Sequence, residues 1–247
     1  MARTDKVCVK KYEEETNLRC QLVIDASSSM YFPHVKPGDE TSLNKIRFAV
    51  HASAALIQLL RMQRDAAGLS VFAENVFINE RARSNAVHLR HLIGQLEGVL
   101  ADNSTGKRTM AVNALHDIAQ QIHRRSLVVI FSDMMDNSER ADELFGALQH
   151  LRFHKHEVIL FHVVDRKKEL ELDLEDRPYT FVDMESGEQV KAHPAEVRDT
   201  YRSAVADRWH QLKLKCGQYH IDLVEADINK GFEPILLEFL VKRARMY

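Results

Sequence analysis

An uninterrupted apolar stretch that runs straight into a carboxylate constrains this chain most: Leu22-Val23-Ile24 is followed by Asp25, then Ala26-Ser27-Ser28-Ser29-Met30. No polar residue alternates within the run, which is the pattern of a strand buried on both faces of a parallel sheet. Open α/β sheets bind ligands at the carboxyl ends of their strands, and Asp25, Ser27 and Ser29 fall there. Oxygen donors at positions i, i+2 and i+4 of one extended loop can point the same way. A carboxylate with two hydroxyls is a hard donor set, suited to Mg²⁺ or Mn²⁺ rather than zinc. The same residues also read as a helix start, because Asp and Ser are preferred caps and the chain must turn here.

A second stretch favours the site. Leu127-Val128-Val129-Ile130-Phe131 is another buried run, ending in Ser132-Asp133-Met134-Met135-Asp136. Two core strands that each deliver an Asp at the carboxyl end predict one shared crevice.

Between these landmarks the pattern alternates strand and helix. Lys6 to Tyr12 reads as a strand. Leu43 to Arg64 reads as a helix with Ile46, Ala49, Val50, Ile57 and Leu60 on one stripe. Gly68 is expected to stop that helix before a strand over Leu69 to Phe72, with Val76-Phe77-Ile78 as its hairpin partner. His88 to Leu100 is a second helix. A third opens at Thr109, and a fourth, capped by Ser138, carries Leu144, Leu148 and Leu151. Val158 to Val164 is a further buried strand. Arg166 to Ala192 breaks the rhythm and reads as an exposed, mixed-charge insertion on the rim, with a hairpin around Glu185-Ser186-Gly187. Pro194 opens a long helix to Cys216, Ile221 to Val224 is the last strand, and Phe232 to Arg245 the last helix. Strand–helix alternation predicts a mainly parallel sheet with helices on both faces. In the order 3-2-1-4-5-6 the Asp25 and Asp133 strands are neighbours at the switch point.

The bulk properties exclude several classes. With 34 basic and 36 acidic residues the net charge is −2, which argues against a strongly basic nucleic-acid binder. Three cysteines lack metal-ligand spacing, so reduced thiols and a cytoplasmic location are expected. No apolar run reaches the roughly 18 residues a membrane span needs, and the N-terminus does not read as a signal peptide. His150, His154 and His156 lack H-E-x-x-H spacing and read as flanking a helix end, and Trp209 as packing its helix.

The D-x-S-x-S after the first strand, a Thr opening a later helix and an Asp ending the fourth main strand together resemble the von Willebrand factor A domain. The resemblance implies a three-layer α/β/α Rossmann-like fold and a metal-ion-dependent adhesion site, matched by Asp25, Ser27, Ser29, Thr109 and Asp133. Tyr12 to Cys20, Asp25 to Met30, Phe131-Ser132-Asp133 and the insertion before the Tyr201 helix extend the likeness over nearly the whole chain, and resemble the bacterial domain of unknown function 58. Members of that family usually continue upstream of Ala2-Arg3-Thr4-Asp5, so residues 1–18 are expected to be the remnant of an upstream strand segment, and residues 19–247 the domain, with its rim insertion at about 166–192.

The resemblance implies a binding module rather than an enzyme. Its divalent metal (Mg²⁺, with Mn²⁺ or Ca²⁺ as alternatives) would be completed by an Asp or Glu of a protein partner. The family's genomic company implies a MoxR-type AAA+ ATPase or its client as that partner. The competing reading is a metal-dependent nuclease or phosphatase using Asp25, Asp133 and Asp136. The chain lacks G-x-S-x-G and G-x-x-x-x-G-K-[ST] motifs, and no general base is placed by sequence.

Overall fold

The computed structural model describes residues 18–36, 39, 42–101, 111–134, 141–184 and 187–244. The first apolar run forms β1 (Arg19–Asp25), buried at every position after Arg19. A short 3₁₀ turn over Ser28–Tyr31 follows. Then come α1 (Lys45–Met62), β2 (Ala66–Phe72), β3 (Val76–Arg83) and α2 (Ala86–Ala101). The second half holds α3 (Ala111–Gln121), β4 (Leu127–Ser132), α4 (Ala141–Phe153) and β5 (Glu157–Val164). A rim segment contains one π-helical turn (Arg166–Leu170) and the hairpin β6 (Tyr179–Val182) and β7 (Gln189–Ala192). The chain closes with α5 (Pro194–Gln218), β8 (Asp222–Asp227) and α6 (Phe232–Ala244).

The main sheet has the order β3-β2-β1-β4-β5-β8. All neighbours are parallel except β2 and β3. Residues alternate across it, as the pleat requires. Leu22 and Ile24 face a core shared with Ile46 and Ile57 of α1, Leu92 and Leu96 of α2 and Ile235 of α6. Val23, Val128 and Ile130 face Leu115 and Ile118 of α3 and Leu148 and Leu151 of α4 on the other side. This is a Rossmann-like arrangement of helices on both faces of a mostly parallel sheet. Fully burying one such aliphatic side chain contributes roughly 1.5–3 kcal/mol.

Gly68 corrects one expectation. It does not stop α1, which ends at Met62 and turns through Gln63 and a left-handed Arg64 (φ 61°). Gly68 instead lies inside β2, opposite Gln21 of β1. A Cβ there would stand 2.2 Å from Gln21 Oε1 and 2.7 Å from both the Glu80 carbonyl oxygen and the Ala82 nitrogen of β3. The β2–β3 backbones therefore approach too closely for a side chain. Gly68→Ala is expected to cost about 1–3 kcal/mol through this overpacking, measured as a lowered midpoint in chemical denaturation.

Candidate functional site

The side-by-side pairing of β1 with β4, with Ile24 opposite Phe131, brings Asp25 and Asp133 to one crevice at the carboxyl edge of the sheet. Both are buried, at 0% and 2% exposure. Asp25 is tied on both oxygens: Oδ1 accepts the Ser27 backbone N–H at 2.9 Å and Oδ2 accepts the Ser132 hydroxyl at 2.7 Å. Ser132 Oγ in turn accepts the Met134 backbone N–H at 3.0 Å. Met134 is left-handed (φ 49°) and its carbonyl accepts from the Arg208 guanidinium at 2.9 Å. The turn that presents Asp133 is thus fixed from both sides.

In Asp25-Ala26-Ser27-Ser28-Ser29 the carboxylate closes a turn onto the Ser27 N–H, ahead of the 3₁₀ turn, and caps no helix. The Ser27 hydroxyl makes no capping hydrogen bond to the 3₁₀ turn. It lies 3.1 Å from the Ser29 hydroxyl instead. Two oxygens bound side by side to one octahedral Mg²⁺, at 2.0–2.1 Å from it, stand roughly 3 Å apart. Ser27 and Ser29 already have that spacing.

Asp25 has its pKa pushed up from 3.8 to about 7. Burial is the main cause and the charge of Asp133 the second, while the hydrogen bonds from Ser27 and Ser132 pull the other way.

Lys45 is the residue that sequence reasoning missed. It is the first residue of α1 and fully buried. Its Nζ donates to Asp133 Oδ2 at 2.7 Å and to Glu169 Oε1 at 2.5 Å. A lysine at a helix N-terminus opposes the helix dipole, and burial alone would lower its pKa. Asp133 and Glu169 outweigh burial and hold the ammonium above its ordinary value. Glu169 comes from the rim segment, so the expectation that this segment is merely exposed is corrected. Its side chain is 14% exposed, and its Oε2 accepts the Asp165 backbone N–H at 2.8 Å. Burial raises the Glu169 carboxyl, with Lys45 opposing. No periodicity signals Glu169; for Lys45 the available hint was a cation directly behind the Asn44 cap.

Two carboxyl groups, Asp133 and Glu169, therefore hold one ammonium, and Asp133 also stands close enough to Asp25 to raise its pKa. Among the described residues no three His, Cys, Asp or Glu side chains form a metal-holding group. A cation here would rely on hydroxyl oxygens as well as carboxylates. The donor chemistry, the hydroxyl spacing and the surplus of carboxylates fit a small hard cation. Thr109 and Asp136 lie outside the described residues. His150 and His154 sit at the other end of the sheet, where α4 leads into β5. His150 Nδ1 lies 3.0 Å from His116 Nδ1 and His150 Nε2 lies 3.2 Å from His154 Nε2. Trp209 packs at 5.0 Å, ring centre to ring centre, on His162 of β5.

The family model described as "Protein of unknown function DUF58" matches residues 1–211. The chain belongs to this family. No curated protein matches it in sequence. Among solved structures, this DUF58 chain is similar to the conserved hypothetical protein BatB from Bacteroides thetaiotaomicron. The two are 14% identical with a TM-score of 0.54, covering 92% of this chain and 99% of that one. It is also similar to an aerotolerance-related membrane protein from Bacteroides fragilis NCTC 9343, crystallised with multiple mutations to serines. There the identity is 15% and the TM-score 0.55, over 90% of this chain and 98% of that one. At this identity the likeness is one of fold. Among the described residues of the DUF58 chain, no helix is long and apolar enough to cross a membrane.

Proposed function

We propose that this DUF58 chain is a von Willebrand factor A-like, metal-dependent protein-interaction module. In this reading Asp25, Ser27, Ser29 and Asp133, with Thr109, hold a divalent cation, Mg²⁺ before Mn²⁺ or Ca²⁺. A carboxylate from a protein partner takes an open place in its shell. The observation that carries the reading is the pair of cap-free hydroxyls, Ser27 and Ser29, 3.1 Å apart beside a buried Asp25. When bound, the cation would supply a positive charge that an acidic partner side chain can reach. The chain's own residues do the rest. Ser132 orients Asp25, Lys45 holds Asp133, and Glu169 ties the rim segment to Lys45. A MoxR-type AAA+ ATPase or its client is the partner class that the family resemblance favours.

The hydrolase reading using Asp25, Asp133 and Asp136 has less behind it. Two hydroxyls, Ser27 and Ser29, stand where a two-metal site would use carboxylates.

Capture from the native cell tests the proposal. Tagged parent and Ser27→Ala proteins are compared in Mg²⁺ and in EDTA, with bound proteins identified by mass spectrometry. An AAA+ ATPase or its client should be recovered by the parent in Mg²⁺, and at least about tenfold less in EDTA or by the variant. Equal recovery in all four arms would contradict a metal bridge.

A further inference from the structure

Away from the Asp25 crevice, three imidazoles are in contact. His116 comes from α3, His150 from the last turn of α4, and His154 directly follows that helix. All three are half-buried rather than enclosed. His150 Nδ1 lies 3.0 Å from His116 Nδ1, and His150 Nε2 lies 3.2 Å from His154 Nε2. A neutral imidazole nitrogen is the commonest metal ligand, and it suits Zn²⁺, Cu²⁺ and Ni²⁺. An ion about 2.0–2.1 Å from both Nε2 atoms would see them roughly 100–105° apart, between the right angle of a square-planar ion and the tetrahedral angle. Residues at i and i+4 share one face of a helical turn, so this pair is already assembled. His150 offers a different nitrogen to each neighbour. One ion is thus held by two of the three imidazoles, in keeping with the lack of a three-residue metal group among the described residues. With Nε2 on the ion, His150 carries its proton on Nδ1 and donates it to His116 Nδ1. A metal-bound histidine normally has such a partner for its second nitrogen, which fixes the tautomer and the ring orientation.

We propose that His150 Nε2 and His154 Nε2 bind one late first-row divalent ion, Cu²⁺ more tightly than Ni²⁺ or Zn²⁺. His116 is the positioning residue, and water fills the remaining places. This site shares no residue with the proposed adhesion site and uses nitrogen rather than oxygen donors, so the two stand or fall separately.

The test titrates the full, tag-free chain with Cu²⁺ in millimolar Mg²⁺. It is followed by electron paramagnetic resonance, whose nitrogen hyperfine structure counts bound imidazoles. We expect the first equivalent to carry two nitrogens, with Zn²⁺ displacing it only in excess. His150→Gln and His154→Gln should each lose a nitrogen from the signal and bind at least about tenfold more weakly. His116→Gln should keep both nitrogens and bind about tenfold more weakly, the loss expected for a ligand's supporting partner. Asp25→Ala should bind Cu²⁺ as the parent does. Circular dichroism melts confirm that each variant is folded. The inference is overturned if the parent lacks the two-nitrogen signal, if His150→Gln or His154→Gln binds like the parent, or if Asp25→Ala loses the ion. Loss of a nitrogen in His116→Gln, with both kept in His154→Gln, would place the ion between α3 and α4 and overturn the ligand pair.

Discussion

Replacing Lys45 with methionine is expected to cost about 3–5 kcal/mol of folding stability at about pH 8, the loss found when one member of a buried ion pair is removed. Methionine keeps most of the volume and apolar stem, so the loss is chiefly electrostatic. Without the ammonium, Asp133 and Glu169 remain buried with no cation from Lys45 to offset them. The pH dependence identifies this cause. In the parent, Lys45 has its folded pKa raised above 10.5. Its contribution is therefore complete below about 10.5 and is lost only as pH rises through the folded value. In the variant, the orphaned carboxyls acquire raised folded pKa values, so lowering the pH protonates them in the native state and restores stability. The gap between parent and Lys45→Met should narrow steadily from about pH 8 to about pH 4. Mg²⁺ should return more stability to the variant than to the parent, since it replaces the missing charge. Denaturation midpoints across that range, with and without Mg²⁺, measure both effects. A gap independent of pH would mean that packing, not charge, dominates.

Asp25→Asn should behave in the opposite way. The Asp25 pKa rises from 3.8 to about 7 on folding, the reverse of a salt-bridged carboxylate. A native state that holds the proton more tightly loses stability as pH rises from about 4 to about 7. At roughly 1.4 kcal/mol per pH unit this amounts to about 4 kcal/mol as an upper bound. Asparagine removes the charge and can still accept the Ser27 N–H. In EDTA the variant should therefore be more stable than the parent above about pH 7, and equal to it near pH 4. In Mg²⁺ the order should reverse, because the parent alone gains from binding. A cation bound only to the native state adds about 4.1 kcal/mol at about 1,000 times its dissociation constant, enough to exceed that bound. Such a crossover is the signature of a residue kept for binding at the expense of stability. An Asp25→Asn protein less stable than the parent in EDTA at high pH would remove this interpretation.

That Asp25 and Asp133 each stand at the carboxyl end of a core strand was legible in the sequence for one physical reason. Strands buried on both faces must be apolar throughout, so the first polar residue after each run marks its carboxyl end. Leu22 to Ile24 and Leu127 to Phe131 both carry that signal. Lys45 was not legible, because a lysine at a helix start is ordinarily a solvated surface residue, and only tertiary packing buries it. Glu169 lies among Lys167, Lys168, Glu171 and Asp173, where the local charge pattern says exposure and the partner is 124 residues away in sequence. Gly68 was misread because Ala66-Ala67-Gly68 lacks the branched side chains that mark a strand. The glycine is required there by Gln21 and by the close backbone of β3.

Manganese binding followed by electron paramagnetic resonance tests the metal site most directly. Titration of the parent, Asp25→Ala and Ser27→Ala with Mn²⁺ reports free and bound ion without any partner or assay of activity. The parent is expected to bind one ion that Mg²⁺ displaces, and each variant to bind it at least about tenfold more weakly, the loss of one well-placed ligand. Full retention of Mn²⁺ affinity in Asp25→Ala, or the absence of a displaceable ion in the parent, would contradict a metal centre at the end of β1.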